Sequence, residues 1–168
     1  MKPKPIIICD ANILIDYINS NMAILSLASE HCYEIYAPHE VIKEATKKTP
    51  SLKLDALGVK TCDVEWGQIA EADELAGSCS LSLQDSLCFI VARDKKWICA
   101  TNEKTLRNKC RREKVETFRG LRFMLDLVIA GKLNKEAAHT TAQKISETNA
   151  TITQEIINDF IKMLNSIS

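Results

Sequence analysis

No stretch of this 168-residue sequence is long and apolar enough to cross a bilayer, which takes roughly 20 consecutive residues. The start, MKPKPIIICDAN, is apolar only from Ile6 to Cys9 before Asp10 interrupts it, too short for the core of a secretory signal. The expectation is a cytoplasmic protein with no membrane association. The seven cysteines are odd in number and include no Cys-x-x-Cys pair, and His31, His39 and His139 stand apart. That pattern gives neither a disulfide framework nor the paired ligands of a zinc site, so the thiols read as reduced residues packed as small hydrophobes. Aromatic residues make up only 5% of the chain, which speaks against gripping single strands by base stacking. Formal net charge is zero, which argues against a protein that coats nucleic acid non-specifically.

The neutral total hides two opposed blocks. From Lys104 to Arg122 eight basic residues face Glu113 and Glu116, a net of +6. From Leu54 to Ala92 seven acids face Lys60 alone, a net of −6. A chain of this length forms one core and buries about two-thirds of the surface its unfolded form exposes.

Ile6 to Cys9 is a short, β-branched apolar run, the signature of a strand buried on both faces in a parallel sheet. Helical segments follow at 12–19 and 22–30. YEIYA, 33–37, reads as a second strand closed by Pro38, and PHEVIKEATKK as a helix with apolar Val41, Ile42 and Ala45 on one side. A strand is expected over 59–62, and an acidic helix in WGQIAEADELA stopped by Gly77-Ser78. Ser82 then opens an apolar helix with Asp85 at its third position, as in a capping box. WICAT supplies a fourth strand, EKTLRNKCRRE a basic helix and VETF a weak last strand. Leu121 to Ala130 is an apolar helix halted by Gly131. The alternation predicts an α/β fold, a three-layer α/β/α sandwich around a central parallel sheet of four or five strands. Beyond Gly131 two amphipathic helices, with Asn134 and Thr153 as caps, have no strand partner. The expected division is a domain over residues 1–131 and a C-terminal helical extension over 132–168 packed on it.

Ligands of such sheets bind beyond the carboxyl ends of the strands. Asp10 and the segment Thr101 to Glu103 lie at strand ends, Glu44 in the helix after the second strand, and Asp85 in the first turn of the helix before the fourth. All four carboxylates can reach one edge. Gathered there they repel one another unless a divalent cation neutralises them, and all-oxygen ligation suits Mg²⁺ or Mn²⁺. A metal-acidified water could then attack phosphorus. Each residue also has a simpler role: Asp10 as a helix cap, Asp85 as the capping-box acid, Glu44 as a partner of Lys48. Glu40, on the same helical face as Glu44, is an alternative ligand. The basic helix begins beside this edge, and Lys104, Arg107 and Arg111 are candidate contacts to RNA phosphates, against the alternative of a solvated helix.

Taken in order, the hydrophobic strand followed by Asp10-x-Asn12, Glu44 in APHEVIKEA, Asp85 in SLQDSLCFIVA, and ATNEKTLR resemble the PIN domain. The match runs from about residue 6 to 118, and the tail is similar to the helical extension of some VapC-like members. The resemblance implies Mg²⁺- or Mn²⁺-dependent cleavage of RNA, often as the toxin partnered by an antitoxin protein, commonly in a homodimer. It implies Asp10, Glu44 and Asp85 as metal ligands and places Glu103 where many members carry Asp, a fourth catalytic position with a longer reach. Asn12 and Thr101 would hold the carboxylates. A solitary RNA-processing nuclease and a catalytically silent PIN-like binding module are the alternatives within this fold. A receiver-type phosphoacceptor would need an Asp at the third strand's end and a Lys at a later one. An Asp-nucleophile phosphotransferase would want Asp where Asn12 stands.

Overall fold

The computed structural model describes residues 2–168. In chain order its elements are β1 (Ile6–Cys9), α1 (Ala11–Ser20), α2 (Ala23–His31), β2 (Glu34–Pro38), α3 (His39–Ala45), a 3₁₀ turn (Leu54–Leu57), β3 (Val59–Cys62), α4 (Trp66–Ser78), α5 (Leu83–Lys95), β4 (Ile98–Ala100), α6 (Lys104–Arg112), β5 (Thr117–Phe118), α7 (Arg122–Ile129), α8 (Lys135–Thr148) and α9 (Gln154–Ser166). The strands form one all-parallel sheet in the order β3-β2-β1-β4-β5. The fold is therefore α/β, with helices covering the sheet as a three-layer sandwich.

β1 is central because its residues suit no other place. Ile7, Ile8 and Cys9 are fully buried, and their backbone pairs with β2 on one side and β4 on the other. α5 packs on β1, β2 and β4, flanked by α4 and α6, and its middle residues Ser86 to Ala92 are all buried. α2 lies against β2 and β3 and touches α7. From β1 the chain builds outward to β2 and β3, then returns through α4 and α5 to β4 and β5 on the opposite side. The strand order thus reverses between β1 and β4, and the crevice at their carboxyl ends is where an open parallel sheet binds ligands.

Several local expectations shift. α4 runs through Gly77 to Ser78, since a lone glycine costs only about 1 kcal/mol in a helix otherwise well formed. Pro38 is the last residue of β2 and also the N-cap of α3, its extended ψ of 155° serving both. Gly131, at φ +68°, is left-handed as anticipated, and Asn134 and Thr153 cap α8 and α9 by accepting from Ala137 and Ile156. α8 packs against α1 and α7, and α9 against α7 and α8. Their buried residues Ala138, Ala142, Ile145, Ile157, Phe160 and Leu164 belong to the same core as the sheet, so residues 132–168 are joined to the rest by shared burial. All seven cysteines are free. Cys9, Cys62, Cys88, Cys99 and Cys110 are buried, whereas Cys79 is exposed at the end of α4.

Gly120 lies just beyond β5, and a Cβ there would stand 2.9 Å from the Ile13 side chain. This close approach brings the backbone after β5 onto α1. Gly120→Ala should cost about 1–3 kcal/mol in urea unfolding. Combined with Ile13→Ala it should cost less than the two single losses together, because the smaller neighbour makes room. Additive losses would contradict the contact.

Candidate metal centre at the carboxyl edge

Asp10 follows β1 directly. Its backbone N–H donates to the Ala100 carbonyl at 3.1 Å, which fixes it in the crevice between β1 and β4. One carboxylate oxygen caps α1 by accepting from the Ile13 N–H at 2.9 Å, and the other accepts from the Thr101 hydroxyl. Thr101, fully buried, in turn accepts from the Glu103 N–H at 3.0 Å and so ties the β4 end to the Asp10 carboxylate. Asp10 is 1% exposed. Burial pushes its pKa up to about 7, against the downward pull of these two hydrogen bonds, and the charges of Asp85 and Asp16 add to the rise.

Asp85 stands in the first turn of α5, positioned by Ser82, whose Oγ accepts from the Asp85 backbone N–H at 3.0 Å. Its side chain is partly buried, and its pKa is raised by burial and then by the charges of Glu103 and Glu44, against hydrogen bonds from Ser82. The charges of Glu44 in α3 and Glu103 before α6 thus act on Asp85, and that of Asp85 acts in turn on Asp10. Glu44 is exposed in the last turn of α3 and makes no ion pair with Lys48 among the described residues, so the simpler role suggested for it is absent. Glu40, one turn earlier, is not among the main charges acting on Asp85. Glu103 is the N-cap of α6, its Oε1 accepting from the Thr105 N–H at 3.4 Å. Asn12 is exposed in the first turn of α1, without a hydrogen bond to a carboxylate among the described residues. Lys104 and Arg111 are exposed on α6, whereas Arg107 is buried on its inner face.

The donor set fits a hard divalent cation in kind: oxygen ligands only, and carboxyl groups whose raised pKa a positive ion would reverse. It does not form a closed cage. Among the described residues no three acidic, histidine or cysteine side chains stand close enough to hold one ion. Mg²⁺ commonly takes one or two protein carboxylates and completes its shell with water and substrate phosphate. At the crevice the acid whose charge acts on Asp10 from a separate segment is Asp85.

A second buried carboxylate was not singled out in the sequence. Asp16, two turns into α1, accepts from Asn149 Nδ2 at 2.9 and 3.1 Å and from Asn102 Nδ2 at 3.3 Å. Asn102 Oδ1 accepts from the Gly120 N–H at 3.0 Å, and the Gly120 carbonyl accepts from the Tyr17 hydroxyl at 2.6 Å. One chain of polar contacts thus joins α1, the β4 and β5 ends and the α8–α9 turn. Burial raises the Asp16 pKa to about 6, partly offset by the two amides. The one available signal was an aspartate set inside the apolar run ILIDYI.

Compared with known protein families, curated proteins and solved structures, the chain matches none.

Burial gives Asp10 and Asp16 folded pKa values near 7 and 6, above the value of about 3.9 expected in the unfolded chain. Between those limits the folded state binds more protons, so these two groups make the protein more stable as pH falls from 8 toward 4. With divalent ions chelated, urea midpoints should be higher near pH 6 than near pH 8. Asp10→Asn should raise stability at the upper pH by about 1–4 kcal/mol and flatten the slope. A wild-type midpoint that falls from pH 8 to pH 6 would contradict the assignment.

Proposed function

We propose that this chain is a metal-dependent endoribonuclease of the PIN type. The observation that carries the reading is the buried Asp10 carboxylate, tied to the β4 end through Ala100 and Thr101 at the crevice where the strand order reverses, with Asp85 as the neighbouring acid whose charge acts on it. Asp10 and Asp85 would hold Mg²⁺ or Mn²⁺, with Glu44 and Glu103 reaching it through water. Bound there, the ion would acidify a water and offset the charge that builds on the phosphate oxygens.

The protein's own contributions follow from its geometry. Thr101 and the Ile13 N–H fix the Asp10 carboxylate, so that its orientation does not depend on the ion. Burial of Asp10 keeps bulk water from its inner side, where its charge is least screened. Glu103, whose side chain caps α6, would be the group to accept a proton from an attacking water. Lys104, exposed at the start of α6, would meet phosphates that flank the scissile bond. The narrower role, a toxin restrained by an antitoxin protein and acting as a homodimer in the cytoplasm, rests on the resemblance alone. A catalytically silent PIN-like module is the second reading. The lack of a three-residue cage and the use of Glu103 as a helix cap favour it.

Incubation with a mixed-sequence RNA and Mn²⁺ decides between them. The wild type should cleave. Asp85→Asn should lower the rate by about 100-fold or more, with an unchanged circular dichroism spectrum, because the Ser82 cap is made to the Asp85 backbone. Thr101→Val should lower it by about 10–100-fold through misplacement of Asp10. No wild-type cleavage would favour the silent module, and equal cleavage by Asp85→Asn would overturn the carboxylate site.

A further inference from the structure

α6 carries an arginine where its neighbours Leu106 and Cys110 are buried apolar residues. Arg107 is 6% exposed, and its Nε and Nη1 are sealed from solvent with no hydrogen-bond partner. A guanidinium so placed is costly unless a counter-charge completes it. It lines a cavity of about 470 Å³ enclosed by α6, β5, α7 and α9. That volume is in the range of small-ligand sites.

The surroundings repeat the charge more than they cancel it, with Glu103 the acid that acts against two arginines. Arg111, one turn further along α6, and Arg119, just past β5, line the same cavity and make no ion pair among the described residues. Burial and then these two like charges hold the Arg107 pKa below its ordinary value. Arg122 is already neutralised by Asp126 at 2.9 Å, and Asp126 also receives the Tyr33 hydroxyl, which leaves Asp159 as the other acid on the lining. The remaining wall is apolar and includes Phe118 and Phe160. A planar arginine fork suits phosphate oxygens, and aromatic rings suit a flat heterocycle.

We propose that this cavity binds a nucleotide, its phosphate on Arg107, Arg111 and Arg119 and its base against Phe118. The site does not depend on the carboxylate edge. Its source is a free nucleoside monophosphate or the phosphorylated end of an RNA strand, which present the same group.

Titration calorimetry with metal chelated by EDTA tests this, using the full chain and its Asp10→Asn variant alike. AMP should bind both with a Kd below about 1 mM, and adenosine should bind about tenfold more weakly or not at all. Arg119→Gln, an exposed position, should weaken AMP about tenfold. Arg107→Gln should do the same without lowering the thermal midpoint, since it removes an unpaired buried charge. Competition by a 5′-phosphorylated hexanucleotide would assign the strand end as the source, and its absence the free nucleotide; either outcome carries the proposal. No binding of AMP up to about 5 mM, tighter binding of octyl phosphate than of AMP, or wild-type affinity in both arginine variants would overturn it. Because no metal or cleavage enters this measurement, its failure would leave the nuclease reading intact, and loss of cleavage would leave the nucleotide site intact.

Discussion

A carboxylate with almost no exposure, at the end of the central strand, is the constraint around which the sheet edge is arranged. Asp10 sits where β1 meets β4, and its burial opposes ionisation strongly enough to bring its pKa to about 7. An ordinary helix cap gains by facing solvent with its spare lone pairs. Asp10 instead uses one oxygen to cap α1 and the other to receive Thr101, so the same group that starts the first helix also anchors the end of β4. Asp85 from α5 adds a like charge rather than a compensating one. An edge assembled this way is destabilised by its own composition, and carboxylates perturbed by burial and like charge are enriched at functional sites.

The second consequence concerns the C-terminal helices. Asn149, in the turn between α8 and α9, donates to Asp16 with both of its contacts, and Asp16 reaches through Asn102 to Gly120. Asn102 lies between Thr101 and Glu103. The extension therefore bears on the backbone that carries two residues of the carboxylate edge. α9 also supplies Phe160 to the cavity that Arg107 lines. These helices thus contact both the segment behind the carboxylate edge and the Arg107 cavity, which their amphipathic pattern alone did not indicate.

Much of the architecture was legible because it depends on local periodicity. The apolar run at Ile6 to Cys9 is buried on both faces as its composition requires, and caps at Ser82, Asn134 and Thr153 stand where serine, asparagine and threonine precede apolar helices. Strand order gave less away, since it depends on which faces meet after the helices form. The individual carboxylates were legible as residues, but not their separate environments: Asp10 buried, Asp85 half covered and Glu44 exposed. Asp16 was hidden because helical periodicity assigns an aspartate to the outer face, and only the pairing with Asn102 and Asn149, distant in sequence, makes its burial tolerable. Arg107 was legible as one cation of a basic helix. Its place on the buried face of that helix, beside β5 and α9, was not.

The central claim is that the Asp10 and Asp85 carboxylates together form a divalent-cation site, and proton release reports on it directly. Burial raises the Asp10 pKa to about 7, so an ion that binds there displaces protons from it around neutral pH. Calorimetric titration of Mn²⁺ in buffers of different ionisation enthalpy measures that release. The account predicts binding coupled to proton release in the wild type, fading as pH rises well above 7, with binding lost in both Asp10→Asn and Asp85→Asn. Mn²⁺ binding of equal strength in those two variants, or none in the wild type, would contradict it.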